Sequence, residues 1–213
     1  MVAGSVAFVL ITVMVASGIS VATKRRIGYT FLPAVSAAGI ASYAFGACNL
    51  LFLTPYFVIV LAILSAAFTA AIIHKRPLQN LSAENEFPSD AVSLKLILNS
   101  DLAVFGAAAI LFILLNYGRM YYLNDEFSHW GLAVKNMFAN GSLAVAAESN
   151  AIFKTYPPFA TAVCWLCSAF CGGMDEAATF VGMDIMLLAC GMPVFAAFAE
   201  KMSERSYRTE LVW

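Results

Sequence analysis

Charge is what this sequence has least of. Asp, Glu, Lys and Arg together make up 12% of its 213 residues, and residues 1–23 and 27–73 contain none of them. A typical soluble domain has about 25% charged residues. Hydrophobic residues instead make up 62% of this chain. The composition argues against a soluble globular protein, and it excludes a disordered one, because disorder needs low hydrophobicity and high net charge.

Several other signals are missing. The formal net charge of −1 gives no basic surface, so we expect no nucleic-acid partner. The sequence has no G-x-S-x-G, H-E-x-x-H or Walker A motif, which weakens protease and nucleotide-dependent hypotheses. Five cysteines lie in apolar segments or at the end of one, where cysteine acts as a small hydrophobe. The spacing of Cys164, Cys167 and Cys171 is similar to a cluster motif, but their apolar neighbours favour packing in a membrane helix.

Long uncharged runs are what the sequence has instead. A helix needs about 20 apolar residues to cross a bilayer. We therefore predict an all-α, polytopic transmembrane helical bundle with about six membrane segments. The predicted segments are about 2–23, 28–48, 55–73, 101–117, 158–172 and 177–199. They divide the chain into three N-terminal helices in 1–76, a cytoplasmic linker in 77–100, and a third part in 101–213.

The basic residues predict an orientation. Clusters at 24–26 and 74–76 follow the first and third segments, and cytoplasmic loops collect Lys and Arg. We therefore expect a multi-pass protein of the cytoplasmic membrane, with its N-terminus outside and loop 118–156 extracytoplasmic. Segment 158–172 leaves two alternatives open. Full spanning places the basic tail outside, whereas a re-entrant or interfacial segment keeps it inside but needs a backbone buried in protein or lining a cavity.

Loop 118–156 also contains a predicted amphipathic helix, from Asp125 to about residue 138. Phe127, Trp130, Val134 and Phe138 recur at spacings of three and four, so they share one helix face. We expect this face to rest on the membrane surface, as an interfacial helix does.

The start of that helix has the residue types that could carry chemistry. Asp125 and Glu126 come directly after a membrane exit, and His129 lies one helical turn further on. A carboxylate in this position could act as a general base toward a hydroxyl acceptor. Acids at a helix N-terminus are also favourable without any catalytic role, because they complement the helix dipole. As a third alternative, Asp125, Glu126 and His129 could bind a divalent metal ion. No other cofactor is predicted.

The arrangement of the motifs in 118–200 resembles the membrane glycosyltransferases with the GT-C fold, especially their protein-mannosyltransferase-like and bacterial branch. The residues that carry this resemblance are the stretch from Asp125 to Trp130, Asp-Glu-Phe-Ser-His-Trp, and the triplet Tyr156-Pro157-Pro158. In that family an acidic motif lies in the first long external loop, and a Pro-Pro pair often opens the next segment. Family members usually have one helix before the acidic loop and several hundred residues, so the chain resembles an N-terminal portion with three extra helices in front.

The resemblance implies a donor and a set of site residues. The donor would be a polyprenyl-phosphate-linked sugar, and the acceptor a glycan, a lipid or a protein of the cell envelope. Asp125 and Glu126 would be catalytic, with Asp125 deprotonating the acceptor and the anomeric configuration inverting. Substrate-binding residues would be His129, Trp130, Lys154 and Tyr156. Arg119 and Lys135 are the other basic residues of the loop that could reach the phosphate.

Two other functions remain open from the sequence. A transporter or flippase-like component would need midplane polar residues, of which Asp184 is the clearest candidate. A non-catalytic membrane scaffold would predict that substitution of Asp125 has no effect on activity. Membrane lipid is an expected partner under all of these hypotheses.

Overall fold

The computed structural model describes residues 1–75, 94–151, 154 and 157–210, with side chains described as far as residue 203. Most of the predicted linker 77–100 lies outside the described residues, and so does Tyr156. The described part of the chain is all-helical and contains no strand. The helices are α1 (Val2–Thr23), α2 (Phe31–Ala47), α3 (Thr54–Lys75), α4 (Ser100–Leu115), α5 (Asn124–Ser128), α6 (Trp130–Asn140), α7 (Phe159–Ala169) and α8 (Glu176–Glu210).

Four of these helical regions are long and apolar enough to cross a membrane. They are Val2–Thr23, Ile27–Ala47, Leu51–His74 and Glu176–Ser203. The predicted all-helical membrane protein is therefore confirmed. The predicted count of about six segments is not, because α4 and α7 are apolar but have only 16 and 11 residues.

One end of the bundle is held together by charged side chains, and we call it the Arg26 end. The Arg26 guanidinium donates two hydrogen bonds to the Asp101 carboxylate, from Nη2 at 2.6 Å and from Nε at 2.9 Å. The nearby Tyr29 hydroxyl donates to Glu200 at 2.8 Å. These contacts place the end of α1, the beginning of α4 and the far part of α8 at the same level.

The opposite end carries α5, α6 and the beginning of α8, and we call it the Asp125 end. Glu176, the first residue of α8, accepts a hydrogen bond from the Tyr121 backbone N–H at 2.7 Å. The Lys135 ammonium of α6 lies 2.7 Å from the same carboxylate. These bonds hold the loop between α4 and α7 against the bundle.

Helix α7 runs only part of the way through the bundle. The Phe159 ring, at its beginning, occupies the space where a side chain on Gly39 would lie, halfway along α2. Just beyond its far end, Cys171 lies against Gly4 in the first turn of α1, at the Asp125 end. Eleven residues rise about 16 Å, roughly half of a 30 Å hydrocarbon core. The chain therefore enters from the Asp125 end, turns at mid-depth, and returns to the same end.

This path is the one that the re-entrant alternative for segment 158–172 predicts. Residues 162–168 are all buried within the protein, which is the condition for a re-entrant backbone at membrane depth. Because α7 returns to the Asp125 end, α8 runs the full length of the bundle and ends at the Arg26 end. The C-terminal part of α8 and the basic cluster 24–26 therefore lie at the same end, as the positive-inside rule requires.

Single-cysteine labelling should show this topology directly. In oriented vesicles of a variant without native cysteines, we expect Arg25→Cys and Lys201→Cys to react with an impermeant maleimide from one side. Asn140→Cys should react from the other side. All three positions are exposed, so accessibility itself does not limit the reaction. Labelling of Lys201→Cys from the same side as Asn140→Cys would show that α7 crosses the membrane completely.

Candidate functional site

A cleft of about 420 Å³ opens at the Asp125 end, where the two motifs of loop 118–156 meet. It lies between the α5–α6 corner, the segment around residue 145, and the beginning of α7. Its lining residues are Asp125, His129, Trp130, Ala133, Ala144, Val145, Ala151, Pro157, Pro158, Ala160 and Thr161. The acidic stretch and the Pro-Pro pair are about 30 positions apart in the sequence, yet residues of both line one cavity.

Asp125 presents its carboxylate at this cleft. Its side chain is 83% exposed, and its Oδ1 lies 3.8 Å from Nδ1 of His129. That ring nitrogen is also 2.9 Å from the Ser128 hydroxyl. A solvent-accessible carboxylate beside an imidazole can accept a proton from a bound hydroxyl group, which is the role of a general base.

The helix predicted from Asp125 to residue 138 is in fact two helices. The chain turns at His129, with φ −119° and ψ −105°, so that α5 ends and α6 begins on either side of it. Three of the four residues of the apolar face predicted to rest on the membrane pack instead on the bundle, whereas Phe127 is 55% exposed. Val134 is fully buried, Trp130 is 5.3 Å from the Phe180 ring, and Phe138 is 5.5 Å from the Trp165 ring. Burying these side chains against α7 and α8 also fixes the cleft wall.

Glu126 does not share the position of its neighbour Asp125. It is 4% exposed, and its carboxylate accepts hydrogen bonds from the backbone N–H groups of Tyr122 and Leu123, the latter at 2.8 Å. Arg119 lies 3.8 Å from its other oxygen. These contacts give Glu126 the capping role, because it satisfies backbone donors that α5 leaves without a helical partner. Asp125 is thus the only acid of the pair that lines the cleft.

The basic residues expected at a phosphate all point to other partners. Lys135 pairs with Glu176, and Arg119 stacks on the Phe180 ring with its Cζ 3.8 Å from the ring centroid. Lys154 donates to the Ala147 carbonyl oxygen at 2.8 Å. Among the described residues that line the cleft, none is Lys or Arg. The prediction that Lys154 binds substrate therefore has no geometric support.

The beginning of α7 supplies an oriented dipole at the cleft. Pro158 is the N-cap of α7, and Ala160 and Thr161 in the first turn line the cavity. A helix N-terminus carries a partial positive charge from N–H groups without helical acceptors. The hydroxyl of Thr161 donates to the Pro158 carbonyl oxygen at 2.9 Å, and nothing in the sequence signalled this residue.

The three-residue metal site remains without geometric support. Within the described part of the chain, no group of three or more His, Cys, Asp or Glu side chains is placed to hold a metal ion. The Glu126 carboxylate is occupied by backbone donors, which leaves Asp125 and His129 as a pair.

Asp184, the acid inside an apolar segment, has a specific partner. Asn116 at the end of α4 donates from Nδ2 to Asp184 Oδ2 at 2.7 Å. The Asn116 side-chain oxygen in turn accepts from Arg119 at 3.3 Å. Asp184 is therefore linked to the loop that carries Glu126, but it does not line the cleft.

The α5–α6 corner depends on a residue without a side chain. A Cβ on Gly131 would overlap the Glu126 carbonyl oxygen and would lie 2.6 Å from the Tyr121 ring. Gly131→Ala should therefore destabilise the protein by about 1–3 kcal/mol, the usual cost of overpacking, and should displace Asp125 from the cleft. Gly106→Ala is the matched control, because a Cβ at Gly106 would have no atom within 4 Å and Ala is a better helix former. Equal melting temperatures for the two variants in detergent would contradict this.

The fold defines the class of this chain as an all-helical membrane protein with four candidate membrane-spanning helices. No protein-family model matches it, and no curated protein or solved structure does so either.

Proposed function

We propose that this chain forms the acidic site of a membrane glycosyltransferase that uses a polyprenyl-phosphate-linked sugar. The observation that carries the proposal is the cleft itself, in which Asp125, His129 and Trp130 meet Pro157 and Pro158. The resemblance to GT-C enzymes came from these two motifs as separate pieces of sequence. Their meeting in one cavity supports a joint role.

The proposed reaction accounts for the proton, for the bond that forms and for the group that leaves. The Asp125 carboxylate takes the proton from an acceptor hydroxyl, and the acceptor oxygen attacks the anomeric carbon. The bond between that carbon and the phosphate oxygen breaks, polyprenyl phosphate leaves, and the configuration inverts. His129, next to Asp125, orients the carboxylate, while Trp130 offers an aromatic edge to the sugar.

The group that we propose to stabilise the leaving phosphate differs from the basic side chains that the sequence suggested. The leaving phosphate needs groups that stabilise its developing negative charge. Since no Lys or Arg lines the described part of the cleft, we assign this role to the N-terminal turn of α7, where the helix dipole is positive. Glu126 is assigned to holding the loop and not to catalysis.

The proposed setting is the cytoplasmic membrane, with the Asp125 end on the extracytoplasmic side. A re-entrant helix lets the cleft reach into the membrane, where the lipid donor is delivered, while the exposed Asp125 stays accessible to a water-soluble acceptor. An envelope glycan, a lipid or a protein could serve as that acceptor.

The test is transfer of radiolabelled sugar from polyprenyl phosphate in membranes that contain the native gene product. Transfer that depends on this protein and on Asp125 would support the proposal. Absence of any transfer with a panel of polyprenyl-phosphate hexoses would contradict it.

A transport function is the second candidate, and the half-helix α7 is the observation that favours it. Transporters often place the N-terminus of a discontinuous helix at a substrate site near the bilayer midplane. This alternative predicts movement of a fluorescent lipid-linked sugar between the leaflets of vesicles, without chemical transfer. The same membranes can be used for both measurements.

A further inference from the structure

The chain leaves α4 through residues 117–127, which we call the exit segment. This segment displays several large apolar and aromatic side chains, with exposed fractions from 55% to 87%. They are Tyr117, Met120, Tyr122, Leu123 and Phe127. Neighbouring exposed side chains of this kind mark a contact with a membrane or with another protein, because soluble surfaces rarely group them. The exit segment is therefore a candidate interaction surface.

Tyr121, the buried aromatic residue of the exit segment, fixes this surface on the bundle. Its hydroxyl group lies 2.9 Å from the Thr179 hydroxyl, and its ring centroid lies 5.2 Å from that of Trp130. Tyr121 is only 6% exposed, whereas its neighbours Met120 and Tyr122 are 72% and 87% exposed. The contacts that hold Tyr121 inward thus leave the side chains on either side of it displayed.

The exit segment lies at the level where two candidate membrane spans begin. Its residues Tyr117, Arg119 and Met120 line one groove together with Val2 and Ala177. Val2 is the first residue of the first candidate span, and Ala177 is the second residue of the last. The surface of a bilayer crosses a membrane protein where its spans begin, and Tyr side chains are enriched at that level. The position of the exit segment thus matches a membrane–water interface.

The exposed surface of the exit segment continues along α4. Leu111, Leu114 and Leu115 are 52%, 67% and 68% exposed in the second half of this helix. The exposed residues change from leucine on α4 to mainly tyrosine just beyond it. A lipid leaflet offers both environments in that order, with acyl chains beside the leucines and headgroups beside side chains that have an apolar ring and a polar hydroxyl. One partner, the leaflet, accounts for both parts of the surface.

We propose that the exit segment is a membrane-anchoring surface, with its exposed side chains in the headgroup layer of the leaflet at the Asp125 end. The partner is the lipid surface itself. Asp125 lies in the same segment, between the displayed residues Leu123 and Phe127. Anchoring these neighbours keeps the Asp125 carboxylate at the lipid–water boundary. The proposal does not depend on the transferase activity, and it holds equally for a transporter.

The test measures how two paramagnetic reagents reach nitroxide labels on the full chain in phosphatidylcholine vesicles. Oxygen concentrates in the bilayer, whereas a chelated nickel ion stays in water. In the background variant, Cys48, Cys171 and Cys190 are replaced by Ser, while the buried Cys164 and Cys167 remain. The labels are placed at Met120→Cys and Tyr122→Cys.

Two further label positions define the limits of the scale. Leu111→Cys reports on the exposed side of α4, and Glu148→Cys reports on an exposed charged position of the same external loop. We expect the ratio of oxygen to nickel accessibility at Met120→Cys and Tyr122→Cys to lie between these two limits. A ratio equal to that of Glu148→Cys would place the exit segment in water and overturn the proposal. Low accessibility to both reagents would also overturn it, because protein would then cover the surface.

A photo-crosslinking experiment identifies the partner without any cysteine replacement. The benzophenone amino acid p-benzoylphenylalanine takes the place of Tyr122, whose 87% exposure leaves room for the larger side chain. After irradiation in phosphatidylcholine vesicles, we expect a protein–phospholipid adduct in the mass spectrum. The same amino acid in place of Glu148 should give no such adduct. An adduct between two polypeptide chains at Tyr122 would overturn the proposal in favour of a second copy of this protein.

Discussion

Sugar transfer is expected to fall at least a hundredfold when Asp125 is replaced by Asn, with normal abundance of the protein in the membrane. A positioned general base typically contributes 10²- to 10⁴-fold to a rate, and an amide cannot accept the acceptor's proton. Asp125 is largely exposed, and the Nδ1 atom of His129 lies 3.8 Å from its carboxylate. Removing its charge should therefore cost the fold little, so that the loss reports on chemistry.

Two other acids in the same loop are suitable controls. Glu148→Gln should transfer sugar at nearly the wild-type rate, because Glu148 lies outside the cleft lining and accepts a hydrogen bond from Ser142 at 2.8 Å. Its own backbone N–H and the Ser142 hydroxyl hold the pKa of Glu148 below its usual value. Glu126→Gln should lower thermal stability as well as activity, since it weakens the cap of α5. If Asp125→Asn transferred sugar at the wild-type rate, Asp125 would only complement the dipole of the helix that it begins. The scaffold hypothesis would then be favoured.

Arg26→Leu should destabilise the bundle by about 3–5 kcal/mol, the usual effect of removing one partner from a buried ion pair. The Asp101 side chain is fully buried, and both of its oxygens accept hydrogen bonds from Arg26. Hydrogen bonding to Asp101 raises the pKa of Arg26 above its ordinary value, which shows the same coupling from the other partner. The measurement is the melting temperature of the purified protein in detergent.

The neighbouring residue gives the control for that variant. Arg25 is exposed, so Arg25→Leu should change the melting temperature only slightly. The double variant Arg26→Leu/Asp101→Leu should recover much of the loss, because replacing both partners removes the unpaired buried charge. If the Arg26→Leu and Arg25→Leu variants had the same melting temperature, the ion pair would not determine the stability of the Arg26 end.

Hydropathy was sufficient to predict the long helices but not the path of α7. The regions Val2–Thr23 and Glu176–Ser203 have apolar runs long enough to identify them individually. The run at 158–172 is equally apolar, and an apolar composition favours burial without specifying whether lipid or protein surrounds the helix. Only the contacts of Phe159 with α2 and of Cys171 with α1 determine that α7 turns back.

The acidic pair shows a similar limit. Consecutive helical residues differ by about 100° around the axis, so Asp125 and Glu126 had to point in different directions. Which of them would line a cavity depended on Arg119 and on the position of the loop against α8. Likewise, Glu176 and Phe180 hold Lys135 and Arg119 away from the cleft, and both partners come from a helix more than 40 residues further along the chain.

The half-length of α7 has a consequence for biosynthesis. Eleven residues are too few for the insertion machinery to recognise as a membrane span, and when α7 is made, its neighbours on α8 do not yet exist. Helix α8, which the ribosome makes later, packs on α7 more extensively than any other helix does. Gly182 of α8, for example, fits directly against Cys164 and Cys167. The packing of α7 is therefore complete only after α8 is inserted. A ribosome stalled before α8 would leave a chain with three of its four candidate spans and without the Phe180 ring on which the cleft residue Trp130 packs.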